Sequence, residues 1–252
     1  MMQILLSPAK TLDFESEIPP KMPSSTPHFL KEAQNLVGIL KNYSAKDLAA
    51  LMNISPALAD LNLRRFAQWS ADSQNTRAAI FAFNGDVYEG LNAKTLKNPD
   101  FAQDHLRILC GLYGVLKPFD AILPYRLEMK TKLKNPQGKD LYAFWHCKIA
   151  DFLELEAPHC FVNLASNEYF QSVAKFLKSP VVNCVFEDEK NGVFKTISFY
   201  AKRARGLMAR FIIENRLTKP ADLRDFCAEG YQFCDNSTEE LLIFRRNEHS
   251  RH

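Results

Sequence analysis

The period of the hydrophobic positions changes several times along this chain, and each change predicts an element. Gln3–Leu6 is a short apolar run, read as a buried strand, and a loop, SPAKTLDF, follows it. Residues 15–27 are rich in proline and serine and form an irregular surface excursion. His28–Lys41 is an amphipathic helix, with Phe29, Ala33, Leu36, Val37 and Leu40 at helical spacing. Arg77–Phe83 reads as a helix end or strand entering a turn at Asn84–Asp86, and Phe101–Leu109 as helix or strand before a glycine-bearing loop. Leu141–Leu155 reads as one helix with Leu141, Phe144, Trp145, Ile149, Phe152 and Leu153 inward. Phe161–Leu164 is a short strand, and Ser166 caps a helix carrying Glu168 and Phe170. Val181–Phe186 and Val193–Phe199 flank Asn191-Gly192, a hairpin turn pair. A helix over Ala201–Leu217 and a last hairpin, Tyr231–Cys234 with Leu241–Arg245, close the chain. With no regular βαβ repeat, linker or internal repeat, the pattern predicts one α/β (mixed α+β) domain over residues 1–252. Its sheet is expected to be mixed and curved, with helices around it.

Residues 48–66, LAALMNISPALADLNLRRF, read as two short helices joined by a very tight hairpin. Ser44 and Asp47 fit a capping box, and Asn53 suits the left-handed residue that ends a helix. Ser55 supplies an N-cap hydroxyl, and Pro56 suits the first helical position. Leu58, Leu61 and Leu63 fall near one face, and Arg64 and Arg65 close the second helix. The amides from Ser55 to Ala57 point out of the hairpin, where a helix N-terminus favours an anion. The segment, about 44–69, resembles the helix-hairpin-helix DNA-binding motif. It keeps Ile54 and Pro56 but has Met52, Asn53 and Ser55 where that motif usually has Pro, Gly and Gly. Asn53, Ser55, Ala57, Arg64 and Arg65 are its candidate DNA contacts.

Composition narrows the class. The chain has 252 residues, 46% of them apolar and 24% charged, which suits a globular protein with one sizeable core. No apolar run approaches the ~20 residues that span a bilayer. The N-terminal residues show no basic leader before a long apolar segment, so the expected location is the cytoplasm, with no membrane partner. Six cysteines form no C-x-x-C pair and read as buried thiols. No histidine and cysteine set has metal-site spacing, so no metal is expected. GLYG at 111–114 lacks the lysine and spacing of a phosphate-binding loop, and no cofactor is expected.

A net charge of +3 is small, but its distribution is uneven. The 201–217 helix places Ala204, Leu207, Met208, Phe211 and Ile212 on one apolar face. Lys202, Arg203, Arg205, Arg210 and Arg216 surround that face, opposed by Glu214 alone. Arginine in excess, with few i,i+4 acidic partners, suits phosphate contacts. Lys10 lies where a loop leaves a buried strand end, a place where α/β sites form. A lysine there serves as a phosphate contact or, with its pKa lowered by burial, as a Schiff-base nucleophile. Asp13 is placed to orient it or to cap a turn. Lys10 and Asp13 are therefore the candidate catalytic pair. Asp86, Tyr88, Tyr125, Arg126, Glu128, Asn167 and Glu168 are candidates to line the same cleft.

The segments LLSPAKTLDF (5–14), FNGDVYEGLNA (83–93), LCGLYGVLKPFDAILPYRLEM (109–129), GKDLYAFW (138–145), NLASNEYF (163–170) and FEDEKNGVFKTISFYAKRARGLMARFIIENRLTKP (186–220) resemble the bacterial peroxide-stress YaaA family. The resemblance runs from residue 3 to about 246. It implies a compact curved-sheet fold with a helix-hairpin-helix and a positive cleft. It also implies binding to duplex and distorted DNA, protection of DNA during hydrogen peroxide stress, and lowered free iron. Two other functions stay open at this point. One is an enzyme acting on DNA bases, a glycosylase or lyase using Lys10, and the other is direct iron handling.

Overall fold

Two apolar runs buried on both faces, Met2–Leu6 and Leu106–Cys110, pair in parallel within one sheet. The computed structural model describes residues 1–20, 22–156 and 158–250. In chain order its first elements are β1 (Met2–Leu6), β2 (Thr11–Leu12), α1 (Leu30–Leu40), α2 (Ala45–Met52), α3 (Pro56–Gln68), β3 (Arg77–Ala78), α4 (Ala79–Ala82), β4 (Phe83–Asn84) and α5 (Asp86–Leu91). Next come α6 (Pro99–His105), β5 (Leu106–Cys110), β6 (Gly114–Leu116), β7 (Ala121–Ile122), α7 (Leu141–Trp145), α8 (Lys148–Leu155), β8 (Cys160–Asn163) and α9 (Asn167–Phe170). The chain ends with β9 (Val181–Lys190), β10 (Val193–Lys195), α10 (Ser198–Glu214), β11 (Gln232–Phe233) and β12 (Leu241–Arg246).

The main sheet runs β11-β12-β9-β8-β1-β5-β6. Its five inner strands, β12, β9, β8, β1 and β5, are parallel, while β6, β10 and β11 are added antiparallel. β1 and β5 are buried at every position, the mark of a parallel strand covered on both faces. All the inner strands point the same way, so their carboxyl ends lie along one edge of the core. The sheet is mixed and the fold is α/β, as the pattern predicts.

Helices α5 and α10 cross in backbone contact. A methyl group on Gly206 would overlap the Val87 carbonyl oxygen, and one on Gly90 would overlap the Arg203 carbonyl oxygen. Glycine inside a helix costs ~1 kcal/mol relative to alanine. Both are kept because only glycine lets the two backbones approach this closely. On α10, Ala201, Ala204, Met208, Ala209, Ile212 and Ile213 are buried, whereas Leu207 and Phe211, expected on the same apolar face, are only partly covered.

Several elements differ from the pattern. The expected helix over 141–155 breaks at His146, whose φ of 44° leaves the helical region, and no proline or glycine marks the break. Phe101–Leu109 divides into the end of α6 and most of β5. Asn84–Asp86 opens α5 instead of making a simple turn. α10 begins at Ser198, three residues early, and shortens the strand expected over 193–199 to Val193–Lys195. Ser166 stands at the N-cap of α9, but its side chain makes no capping bond.

Replacing Gly206 with alanine is expected to lower the unfolding free energy by at least about 3 kcal/mol, the upper range for overpacking. Gly38→Ala in α1, where an added methyl group meets nothing within 4 Å, is expected to raise it by up to ~1 kcal/mol. Urea denaturation of the two variants checks both signs.

Candidate functional site

The loop leaving β1 is held in place by groups from three other parts of the chain. The Tyr88 hydroxyl donates to the Ser7 carbonyl at 3.0 Å. The Ser166 amide donates to the Ser7 hydroxyl oxygen at 2.8 Å, and that hydroxyl donates to the Ser166 Oγ at 3.2 Å. Ser166 is therefore used to join the ends of β1 and β8. A Cβ on Gly111, just beyond β5, would overlap the Leu127 carbonyl oxygen. That close approach brings Arg126–Lys130 up to the same edge of the sheet.

Here Lys10 finds its partner, and the partner is Glu128. The ammonium lies 2.9 Å from the carboxylate, which also takes Arg126 at 3.0 Å and Lys130 at 3.4 Å. Lys130 reaches Glu168 at 3.5 Å, and the Tyr142 hydroxyl donates to the Glu168 carbonyl at 2.8 Å. Three cations meet two carboxylates, a net charge of +1. Glu128 is buried at the base, while Lys10 and Lys130 are more than half exposed. Burial pushes the Glu128 carboxyl up, but Lys10, Arg126 and Lys130 outweigh it and hold the group below its ordinary range. Asp13 has a different task. It accepts bonds from the Glu15 and Ser16 amides at 3.0 and 2.9 Å and from the Ser16 hydroxyl. Those bonds, the hydroxyl's foremost, hold its carboxyl at about 2. Asp13 caps a turn and makes no ion pair with Lys10.

Of the other cleft candidates, Arg126, Glu128 and Glu168 join Lys10. Tyr88 and Tyr125 are buried, Tyr125 against the Cys110 thiol at 2.7 Å. Asn167 opens α9, and Asp86 pairs with Lys202 at 3.7 Å. Lys130 lies just outside the motif 109–129 and Tyr142 lies within GKDLYAFW, but no local spacing marks either as a site residue. Burial pushes the Cys110 thiol up to about 11 and the Cys184 thiol up to about 12. These two cysteines are packing groups with little thiolate to offer an oxidant.

The helical hairpin forms with the predicted caps. Ser44 and Asp47 make the capping box, Asn53 is left-handed at φ 50°, and Ser55 accepts the Leu58 amide with Pro56 following. The face turned to the core is Ala59, Asn62 and Phe66, while Leu58, Leu61 and Leu63 are only partly covered. Asn53, Ser55 and Ala57 are exposed at the tip, and the Ser55 and Ala57 amides make no bond within the described residues. Arg64 is exposed at the other end of α3, and Asp60, one turn before it, forms no ion pair with it. Arg65 is half-buried, its guanidinium desolvated, with no partner among the described residues.

The cations of α10 are more occupied than their spacing suggests. Arg203 forms a bidentate pair with Glu229, its Nε 2.8 and 3.0 Å from the two carboxylate oxygens. Arg210 donates to the Leu91 and Asn92 carbonyls at 3.1 and 3.0 Å, closing the carboxyl end of α5, and lies 3.3 Å from Glu214. Arg216 stacks over Phe101 at 5.3 Å and reaches Asn98 at 3.4 Å. Arg205 is half-buried with no partner among the described residues. Glu214 is thus not the sole opposing charge, because Asp86 and Glu229 arrive from distant segments.

Among the described residues, no helix is long and apolar enough to cross a membrane, and no three His, Cys, Asp or Glu side chains stand together as a metal site. The fold and this edge define an α/β protein with cation-bearing loops at the carboxyl ends of its parallel strands. The chain belongs to the family described as peroxide stress protein YaaA, whose model matches residues 2–237. It is 51% identical to a UPF0246 protein of Paraburkholderia xenovorans, over 97% of this chain and 98% of that one. A UPF0246 protein of Albidiferax ferrireducens is also 51% identical, over 98% and 99% of the two chains. One from Tolumonas auensis is 50% identical, over 98% of each.

Because the Glu128 carboxyl is held low in the folded chain, its contribution is present at neutral pH and is lost as pH falls through the carboxylate range. Glu128→Gln is expected to be less stable than the native chain near neutrality. It is also expected to lose less of its remaining stability on acidification, which urea melts between about pH 6 and about pH 3 measure.

Proposed function

We propose that this protein binds DNA through its phosphates, without reading base sequence, as a cytoplasmic part of the defence against hydrogen peroxide. The observation that carries the reading is on α3, which with its N-cap Ser55 presents two free amides, Ser55 and Ala57, at one end and two arginines without acidic partners at the other. Ser55 and Arg64 are about 13 Å apart at 1.5 Å per residue, room for more than one phosphate of a strand. The hairpin resembles the helix-hairpin-helix motif in its turn and caps. A helix N-terminus contributes only ~0.3–1 kcal/mol to an anion, so the cations must supply most of the affinity. Lys10 and Lys130, mostly exposed, add positive charge to this reading, as do Lys202, Arg205 and Arg216. Arg203 and Arg210 carry less of the binding than their spacing implies, being held by Glu229 and by the end of α5. The YaaA family membership supports a role in peroxide stress. On this reading the protein covers duplex and distorted DNA and limits its damage while free iron falls. Tight stoichiometric iron binding by the purified chain would instead make it a direct iron handler.

The Lys10–Glu128 contact also fits a base-acting enzyme, with a carboxylate 2.9 Å away to orient the amine. We favour the phosphate contact, because Lys10 is mostly in solvent and its ammonium is held as a cation by Glu128. Borohydride trapping on oxidised DNA is expected to give no covalent adduct, and an adduct lost in Lys10→Ala would establish the enzyme.

If about five phosphates are neutralised, log affinity should fall with log salt at a slope of about −4 to −5. Arg64→Glu combined with Lys10→Glu is expected to weaken binding at least about tenfold on every sequence alike. Arg210→Gln is expected to cost ~1–3 kcal/mol of stability while leaving the salt slope unchanged. Mobility shifts across a salt series test the picture, and a flat response or a loss confined to one sequence overturns it.

A further inference from the structure

A groove of about 540 Å³ opens beside the far end of α3, between the loop after Lys10 and the loop before β3. Its apolar wall includes Phe14, Ile18 and Leu123, and its polar wall includes the amide side chains Gln68, Gln74 and Asn75. Arg65 and Arg77 complete it, and no acidic residue lines it. Arg77 is held by the Phe81 carbonyl at 3.3 Å and by the Ser16 carbonyl; it makes no ion pair among the described residues, and the carboxylate that feels its charge, Asp13, is engaged in its own turn. Arg65 has no partner there at all, although burial strips water from its guanidinium. An uncompensated half-buried cation is costly, and an anion entering the groove relieves that cost.

The three kinds of wall match the three parts of one molecule. A flat apolar face suits a heterocycle, carboxamides suit the donors and acceptors on its edge, and two guanidiniums suit a phosphate. The volume lies within the range of ordinary small-ligand sites. We propose that this groove binds a single nucleotide, its base against the Phe14 and Leu123 wall and its phosphate on Arg65 and Arg77. The nucleotide is either free in solution or one unpaired unit of a DNA strand lying on the hairpin. The free-nucleotide form stands without the DNA reading above, and the DNA form rests on it.

The test is a titration of the full chain with 2′-deoxyadenosine 5′-monophosphate, followed by tryptophan fluorescence. Trp69 lines the groove, and Trp145 is fully buried elsewhere. The expected result is a saturable change that Arg65→Met weakens at least about tenfold, since the methionine keeps the packing stem and removes the charge. Gln74→Ala on the exposed loop is expected to weaken it about threefold, so a folding defect at position 65 cannot alone account for the effect. Deoxyadenosine alone and inorganic phosphate alone should each bind at least about tenfold less tightly. In the DNA arm, the native chain should prefer a duplex with one unpaired nucleotide over the matched duplex, and Arg65→Met should abolish that preference. Saturable nucleotide binding without the preference supports the free-nucleotide form, and the preference without nucleotide binding supports the DNA form. No saturable response, together with equal loss on both duplexes, overturns the groove and leaves DNA binding standing. No DNA binding by the native chain overturns the earlier reading, and the nucleotide titration still decides the groove.

Discussion

The backbone contact between α5 and α10 is the constraint on which the functional edge of this protein depends. With Gly90 and Gly206 facing backbone instead of side chains, the helices are locked in one relative position. Asp86 at the start of α5 then meets Lys202, and the carboxyl end of α5 meets Arg210. Arg210 satisfies carbonyls that a helix end leaves without partners, so a residue that looks like a free cation in the sequence is a capping group in the fold. The same crossing places α5 so that Tyr88 reaches the Ser7 carbonyl, which steadies the loop that ends in Lys10.

Charge is distributed by the same logic. The basic helix is balanced from outside itself: Glu229 lies 26 residues beyond Arg203, and Asp86 lies far before Lys202. Glu128 works in reverse, as one buried carboxylate that gathers three cations from two segments. Such a cluster holds its members in place more than it stabilises the chain, because burying the carboxylate offsets much of the attraction. Cations left without partners among the described residues include Arg205 on α10 and, at the far end of α3, Arg64 and Arg65. The positive character of the surface is therefore shared by the basic helix, the hairpin and the strand ends.

Much of the hairpin was legible without coordinates. Ser44, Asp47, Asn53, Ser55 and Pro56 each act on backbone groups within four residues, so their meaning is complete in the local sequence. The turn at Asn191-Gly192 and the apolar strands were legible for the same reason. The break at His146 was not, because a positive φ there has no local signature, and neither was the burial of Asn62 on α3. The nearness of Lys10 and Asp13 in the sequence suggested a pairing that the chain does not make, since Lys10 meets Glu128 and Asp13 caps its own turn.

The sequence by itself determined the caps of the hairpin, the Asn191-Gly192 turn, most of the inner strands and the family, since each rests on short-range hydrogen bonding or on burial repeated along the chain. Tertiary structure alone decided which cations stay free, which carboxylate Lys10 meets and where a groove opens. Those outcomes depend on distances between segments dozens to more than a hundred residues apart. Pair energies change steeply with separation and with exposure to water, and neither quantity is written in the order of the residues.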